Sequence, residues 1–387
     1  KELEATIRKE IDAASDYARK APAPEAAELY TDVFADTASI PDHVIATATP
    51  RAAGQYQPQS ERMMTFGQAV NEALAIALEA DKNVFLLGED IADPAGGVVK
   101  TTYGLSTRFG RDRVRPTPIA EQAIVGAAIG AAMAGMKPVA EIMINDFLMV
   151  CMDQVSNHAA KLRYMSGGKT SVPLVIRTLT AGFVGSFGAQ HSQSLEAWLA
   201  HTPGIKIVYP STPAEAKGLL LSAIDDPDPV VFFESMRAYF APGPVPEGDY
   251  RIPLGQADVK RRGKDLTIIT YGWTVGEALA AAETLAKEGV DAEVLDLRTI
   301  VPLDVAAILE SVGRTKRAIV LHAATEFGGF GGEVASIIHS RLHGQLAAPV
   351  ARVGARYTPV PFAAGLESLH FPQANRVIDA ARAMLAR

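Results

Sequence analysis

Two doubly wound parallel-sheet α/β domains, entered through an N-terminal helical arm, are the fold class this sequence predicts. Three observations carry that expectation. The chain has 387 residues, long for one core and ordinary for two or three. From Met63 onward, short β-branched runs alternate with helix-length segments, the signature of parallel strands covered on both faces. The alternation breaks once, in the Pro-, Gly- and charge-rich stretch between Ala238 and Lys264, and then resumes.

In chain order, Leu3, Ile7, Ile11, Ala14 and Ala18 fall at helical spacing opposite charges, which makes the start one amphipathic helix. Pro22, Pro24, Pro41, Pro50 and Pro58 then punctuate a polar stretch too poor in apolar residues for its own core, so residues 1–62 form a helix and linker. In residues 63–250 the stripe Phe66, Val70, Leu74, Leu78 is helical. The runs "NVFLLGED", "KPVAEIM", "VPLVIRTL", "IKIVYPS" and "PVVFFES" read as strands. Ala123–Met136 reads as a buried helix, in which Gly126 and Gly130 would let another backbone come close. "STPAEAKGLLLSAI" sets Thr212 as N-cap, Pro213 at the first helical position and Glu215 three residues on. Residues 251–387 repeat the alternation: "DLTIITYG", a helix capped by Thr274 and Glu277 and stopped at Gly289, then "DAEVLDLRT", "RAIVLHAA" and "PVARVG".

A net charge of −7 with no basic stripe argues against nucleic acid, whose binding needs clustered Lys and Arg, and suits a basic partner. The apolar run Ala123–Met136 is shorter than the roughly twenty residues a membrane span needs. Cys151 is the single cysteine, which excludes an internal disulfide and fits a reducing bacterial cytoplasm or an equivalent matrix. A start at Lys1 without a signal-peptide pattern suits a processed or partial product.

Open parallel sheets bind ligands beyond their strand ends. Glu121 follows the loop "VRPTPIA" and opens an otherwise uncharged apolar helix. It either complements the helix dipole, worth about 0.3–1 kcal/mol, or shares a proton with a ligand nitrogen in a partly desolvated site. His191, in the Gly-, Ser- and Gln-rich loop "FGAQHSQSLEAW", has the setting of a proton donor, against the ordinary fate of a lone loop histidine. Phe147 reads by default as core packing, and Glu89, ending "LLGED", as a solvated turn residue. "EFGGFGGE" lacks dinucleotide-loop spacing, and no Walker-type phosphate loop exists.

"TPIAEQAIVGAAIGAAMAG", "DQVSNHAAKLRYMSGG", "AQHSQSLEAWLAHTPGIKIVYPSTPAEAKGLLLSAI" and "LDLRTIVPLD", in this order, closely resemble the β subunit of the thiamin-diphosphate-dependent decarboxylating component of 2-oxo acid dehydrogenase complexes. The resemblance covers residues 63–387. It implies a transketolase-like pyrimidine-binding domain followed by a transketolase C-terminal domain. It also implies decarboxylation of a 2-oxo acid with transfer of the acyl group to the lipoyl group of a dihydrolipoyl acyltransferase. By the same resemblance Glu121 hydrogen-bonds the cofactor's pyrimidine, Phe147 packs against that ring, His191 is the active-site histidine and Glu89 joins the proton relay. Some members hold a potassium ion, mostly through backbone oxygens, and Leu174, Ala223, Asp226 and Asp228 stand at the matching places. At "VLHAATEFGG" the chain departs from the pattern, since many relatives carry an acidic residue in place of Ala323 or Ala324.

The family anchors diphosphate and magnesium through a Gly-Asp-Gly…Asn motif on an α subunit, and this chain has no such motif. The expectation is therefore half a site, completed by an α subunit or the α half of a fused chain in an α2β2-like assembly. "LEATIRKEIDAASDYARKAPAPEAAELYTDVFAD" resembles the C-terminal end of an α subunit, which suggests a fused α–β polypeptide. Two alternatives stand beside this reading: another transketolase-type thiamin enzyme, and a non-catalytic β-like scaffold. The sequence does not distinguish pyruvate, branched-chain and acetoin substrates.

Overall fold

The computed structural model of the protein describes residues 1–35, 60–185 and 187–386; Pro41, Pro50 and Pro58 of the expected linker lie outside them. The arm opens with α1 (Glu2–Lys20), whose acidic first turn and basic last turn match the helix dipole. None of its residues is buried, so the apolar stripe of Leu3, Ile7 and Ile11 faces outward. A short 3-10 turn, Ala26–Tyr30, follows, and Phe34 then enters the core of the first domain.

That domain runs through β1 (Met63–Thr65), α2 (Phe66–Ala80), β2 (Val84–Glu89), α3 (Leu105–Phe109), β3 (Val114–Thr117), α4 (Glu121–Met133) and β4 (Lys137–Ile142). It continues through α5 (Leu162–Met165), β5 (Val175–Thr180), α6 (Glu196–Ala200), β6 (Lys206–Val208), α7 (Pro213–Asp225), β7 (Val230–Ser235), α8 (Met236–Tyr239) and β8 (Pro242–Pro244). All residues of β2, β5 and β7 are buried, as expected of strands covered on both faces. The stripe Phe66, Val70, Leu74 and Leu78 is buried in α2, and Thr212 and Glu215 form the capping box of α7.

The second domain contains β9 (Asp258–Arg261), β10 (Leu266–Thr270), α9 (Thr274–Lys287), β11 (Ala292–Asp296), β12 (Thr299–Val301) and α10 (Val305–Thr315). β13 (Ala318–Thr325), α11 (Gly331–Arg341), β14 (Ala351–Ala355), α12 (Ala364–His370) and α13 (Ala374–Leu385) complete it. Its sheet has the order β14-β13-β10-β11-β9, parallel except for β9. The first sheet has the order β12-β6-β7-β5-β4-β2-β3, and its antiparallel edge strand β12 comes from the second domain. The two domains are thus joined by backbone hydrogen bonds as well as side chains.

A buried charge cluster reinforces that joint. Glu215 of α7 accepts from Arg298 Nε at 2.5 Å and from Lys260, which also reaches Asp258 at 2.9 Å. Arg298 Nη2 lies 3.0 Å from Asp258, and Ser211 Oγ donates to Asp296 at 2.6 Å. Burial, then the charge of Glu215, pushes the Asp296 carboxyl up to about 7, while Lys260 and Arg298 hold Glu215 well below the usual carboxylate range.

Three local expectations need correction. Thr274 is the first residue of α9, not its cap: its hydroxyl donates to the Tyr271 carbonyl, and Glu277 pairs with Arg237 and the Ala374 N–H. α4 is buried on one face only, with Gln122, Ala123, Ala127, Gly130 and Met133 exposed. No backbone closes on its glycines either, since a Cβ at Gly126 would come no nearer than 3.9 Å to Gln154 Cγ and one at Gly130 would meet open space.

Candidate active site

Four neighbouring strand ends supply the candidate residues. Glu89 is the last residue of β2, and β3 runs through Pro118–Ala120 into Glu121, the first residue of α4. β4 leads into a 3-10 segment, Asn145–Cys151, that carries Phe147. β5 leads into the loop holding His191. Because β3, β2, β4 and β5 are adjacent and parallel, all four loops leave one edge of the sheet.

Side chains converge there. Glu89 and Glu121 are each 8% exposed. Burial first, and then the charges of Glu121, Asp90 and Glu141, raise the Glu89 carboxyl above its ordinary value. Burial pushes the Cys151 thiol up to about 12, with the charge of Glu121 adding to it. Cys151 sits on the Phe147 segment, and the Phe147 and His191 rings meet edge to face with centroids 5.3 Å apart. Glu89 and Glu121 therefore share one end of the sheet, as do Phe147 and His191, and Cys151 on the Phe147 segment feels the charge of Glu121. Glu89 is not the solvated turn residue that default reading suggests.

Among the described residues no hydrogen bond or ion pair engages the Glu121 carboxylate, and the buried hydroxyl of Thr117, four positions earlier, also lacks a partner. A nearly buried carboxylate without a protein donor is costly unless a ligand donor serves it. The half-buried Phe147 ring offers the apolar wall that a flat heterocycle needs. This donor set fits the aminopyrimidine of thiamin diphosphate.

The sequence reading missed the device that holds the histidine loop. Asn145 Nδ2 donates to Gln193 O at 2.9 Å, and the Leu195 N–H donates back to Asn145 Oδ1 at 3.0 Å. Gln193 Nε2 donates to Asp146 Oδ1 at 2.7 Å. Asn145 is fully buried and Asp146 nearly so. Two polar residues directly after an apolar strand, in "IMINDF", were the available signal.

Leu174, Ala223, Asp226 and Asp228 also meet, at the opposite end of β5. The Leu174 carbonyl accepts from Val230 N, and the Ala223 carbonyl from Asp226 N. The two carboxylates are engaged by cations of the protein: Lys206 Nζ lies 2.8 Å from Asp226 and 3.1 Å from Asp228, and Arg163 Nε lies 2.9 Å from Asp228. Any further cation here would depend on backbone oxygens with a lone pair to spare.

A transketolase-type pair of α/β domains, with two nearly buried carboxylates at one edge of the first sheet, defines the class. Residues 62–241 match the family described as the transketolase pyrimidine binding domain, and residues 255–377 match the transketolase C-terminal domain. The chain is 47% identical over 323 residues to the pyruvate dehydrogenase E1 component subunit beta of Bacillus subtilis, covering 83% of this chain and 98% of that one. It is 46% identical to the 2-oxoisovalerate dehydrogenase subunit beta of the same organism, with the same coverage. It is also 46% identical over 331 residues to the acetoin:2,6-dichlorophenolindophenol oxidoreductase subunit beta of Cupriavidus necator, covering 83% and 97%. A solved split-gene transketolase chain, described as an inactive beta4 tetramer, shares the fold with a TM-score of 0.69 at 23% identity, covering 84% and 98%. The chain belongs to the family of E1 β subunits of 2-oxo acid dehydrogenase complexes.

Proposed function

We propose that this chain forms the β half of an active site that decarboxylates a 2-oxo acid and passes the acyl group to a lipoyl group of a dihydrolipoyl acyltransferase. The observation that carries the reading is the Glu121 carboxylate, nearly buried at a helix start and, among the described residues, without a protein donor. Thiamin diphosphate, when bound, supplies a carbon nucleophile and an electron sink for the decarboxylation. Glu121 holds a proton at a pyrimidine nitrogen and so sets the ring's tautomer. Glu89, whose carboxyl is shifted upward by burial and by neighbouring charges, stands beside Glu121 in the proton relay. Phe147 packs on the ring and orients His191, which delivers a proton to the lipoyl sulfur during acyl transfer.

The diphosphate and its magnesium belong to an α-type partner, since the anchoring motif is missing from this chain. Surface near Glu121 and Phe147 supports a covering partner: Ile119, two residues before Glu121, is 83% exposed, and Met149 and Val150, on the Phe147 segment, are exposed as well. Potassium, if taken up, is held by the carbonyls near Leu174 and Ala223, and a rise in thermal midpoint in potassium over choline chloride reports it. The relatives named for the 2-oxo acids pyruvate and 2-oxoisovalerate and for the hydroxyketone acetoin differ from one another by a single percentage point of identity, so identity does not choose among these substrates. The test is turnover against a panel of 2-oxo acids with an α-type partner and thiamin diphosphate supplied. Decarboxylation that vanishes without the cofactor supports the reading, and none with any member of the panel contradicts it.

A further inference from the structure

The first domain holds residues 29–35 of the arm in a way that α1 is not held. Phe34 is 4% exposed and packs into the main core cluster, with Lys206 Nζ 5.7 Å from its ring centroid. The next residue, Ala35, donates its backbone N–H to both oxygens of Asp228, at 3.1 and 2.9 Å. Arg163 and Lys206 hold that carboxylate from its other sides, so the acceptor is fixed by the domain itself. Asp32 takes a left-handed conformation, φ 61°, against Gly168, where a Cβ would stand only 2.5 Å from Asp32 Oδ1. Tyr164 Oη reaches the Leu29 carbonyl at 3.4 Å. Upstream, α1 buries nothing, and Leu3, Ile7, Ile11 and Tyr17 stand 45–79% exposed.

One aromatic plug and one captured backbone amide make a peptide-docking mode, in which a pocket gives specificity and a fixed acceptor sets register. We infer that the first domain carries a socket for the C-terminal tail of an α-type chain, with Phe34 as the plug and Asp228 as the clasp. This rests on reading the arm as an α-type end. The joint fastens the tail at residues 29–35 and leaves the apolar stripe of α1 for the body of the α-type half.

The test uses the full chain with a specific protease site introduced at residues 45–50, cut after folding. Gel filtration and intact mass then show whether the arm stays with the body. The wild-type arm is expected to stay and to be displaced by excess synthetic peptide of residues 24–39. Phe34→Ala is expected to weaken retention a hundredfold or more, in line with the loss of a buried phenylalanine, and Phe34→Leu to restore most of it. The uncut Phe34→Ala protein, checked by circular dichroism, separates release from misfolding. A peptide with Ala at its Phe34 position should not compete. Release of the wild-type arm on cutting, equal retention in Phe34→Ala, or equal competition by the altered peptide overturns the inference. Retention is read without cofactor, so its failure is distinct from failure of the thiamin reading, which appears in turnover.

Discussion

The carboxylates of Glu89 and Glu121, one ending a strand and the other opening a helix, lie at one edge of the first sheet, and the charge of Glu121 helps to raise the Glu89 carboxyl. Their coupling makes Glu121 testable from two sides. Glu121→Gln keeps the shape and removes the charge. A hydrogen bond to a charged group is worth about 1.5–3 kcal/mol, so the assembled enzyme should lose about ten- to hundredfold in thiamin-dependent turnover. The same substitution should lower the Glu89 titration, followed by carboxyl NMR, with the thermal midpoint unchanged. Turnover near wild type would remove Glu121 from its proposed role.

Glu89 itself gives a pH-dependent expectation. A carboxyl raised on folding contributes stability that is complete below its unfolded value and is lost as pH rises through the folded one. The contribution of Glu89 therefore falls as pH rises, and Glu89→Gln should raise the thermal midpoint more at pH 7 than at pH 4. It should slow turnover at both. Equal effects on stability at the two pH values would show that Glu89 does not titrate as described.

His191 should matter at one step more than another. A positioned general acid contributes about a hundred- to ten-thousandfold to its step. His191→Ala is expected to lose that factor in reductive acylation of a lipoyl domain, while decarboxylation read with an artificial electron acceptor falls far less. Equal losses in the two assays would count against the proton-donor role.

The Asn145 clamp leads to a related expectation. Asn145→Ala removes both bonds to the Gln193–Leu195 backbone and leaves a buried carbonyl and N–H without partners, at about 1–3 kcal/mol each. Lower stability is expected, together with a larger fall in lipoyl acylation than in decarboxylation, because the loop it releases carries His191. A stability loss with both activities intact would make Asn145 purely structural.

The interdomain cluster should be visible in the pH dependence of unfolding. Asp296, raised to about 7, contributes stability that is complete below about pH 4, its unfolded range, and is lost as pH climbs through neutrality. Glu215, depressed by Lys260 and Arg298, acts oppositely and loses its contribution only in acid. The midpoint should therefore decline from pH 6 to 8, and Asp296→Asn should flatten that decline. Glu215→Gln removes a carboxylate shared by two buried cations, which then keep Asp258, and should lower stability by denaturant titration.

Much of this was legible in one dimension. β2, β4, β5, β6 and β7 all fall on apolar runs visible in the sequence, because fully buried parallel strands need continuous apolar residues. The Thr212 capping box is local chemistry and equally plain. β12 was hidden because its three residues are strand only by pairing with β6 of the other domain. Glu121 and Glu89 stood out as acids at strand and helix ends, but their proximity depends on β3 and β2 being neighbours, which no local pattern states. Asn145 showed only as a polar residue after an apolar strand, and the partnership of Lys260 and Arg298 with Glu215 carried no signal, since Glu215 is distant in the chain. The exposed face of α4 escaped notice because alanine and glycine suit a core and an open surface equally.

The central claim is that Glu121 serves a ring nitrogen of thiamin diphosphate within a crevice that this chain only half encloses. A crystal structure of the chain with its α-type partner, magnesium and thiamin diphosphate tests it most directly. The account expects the aminopyrimidine against Phe147 with a ring nitrogen about 2.7–2.9 Å from a Glu121 oxygen, the range of a charged hydrogen bond. A ring held by another acid, or lying away from the ends of β2, β3 and β4, would contradict it.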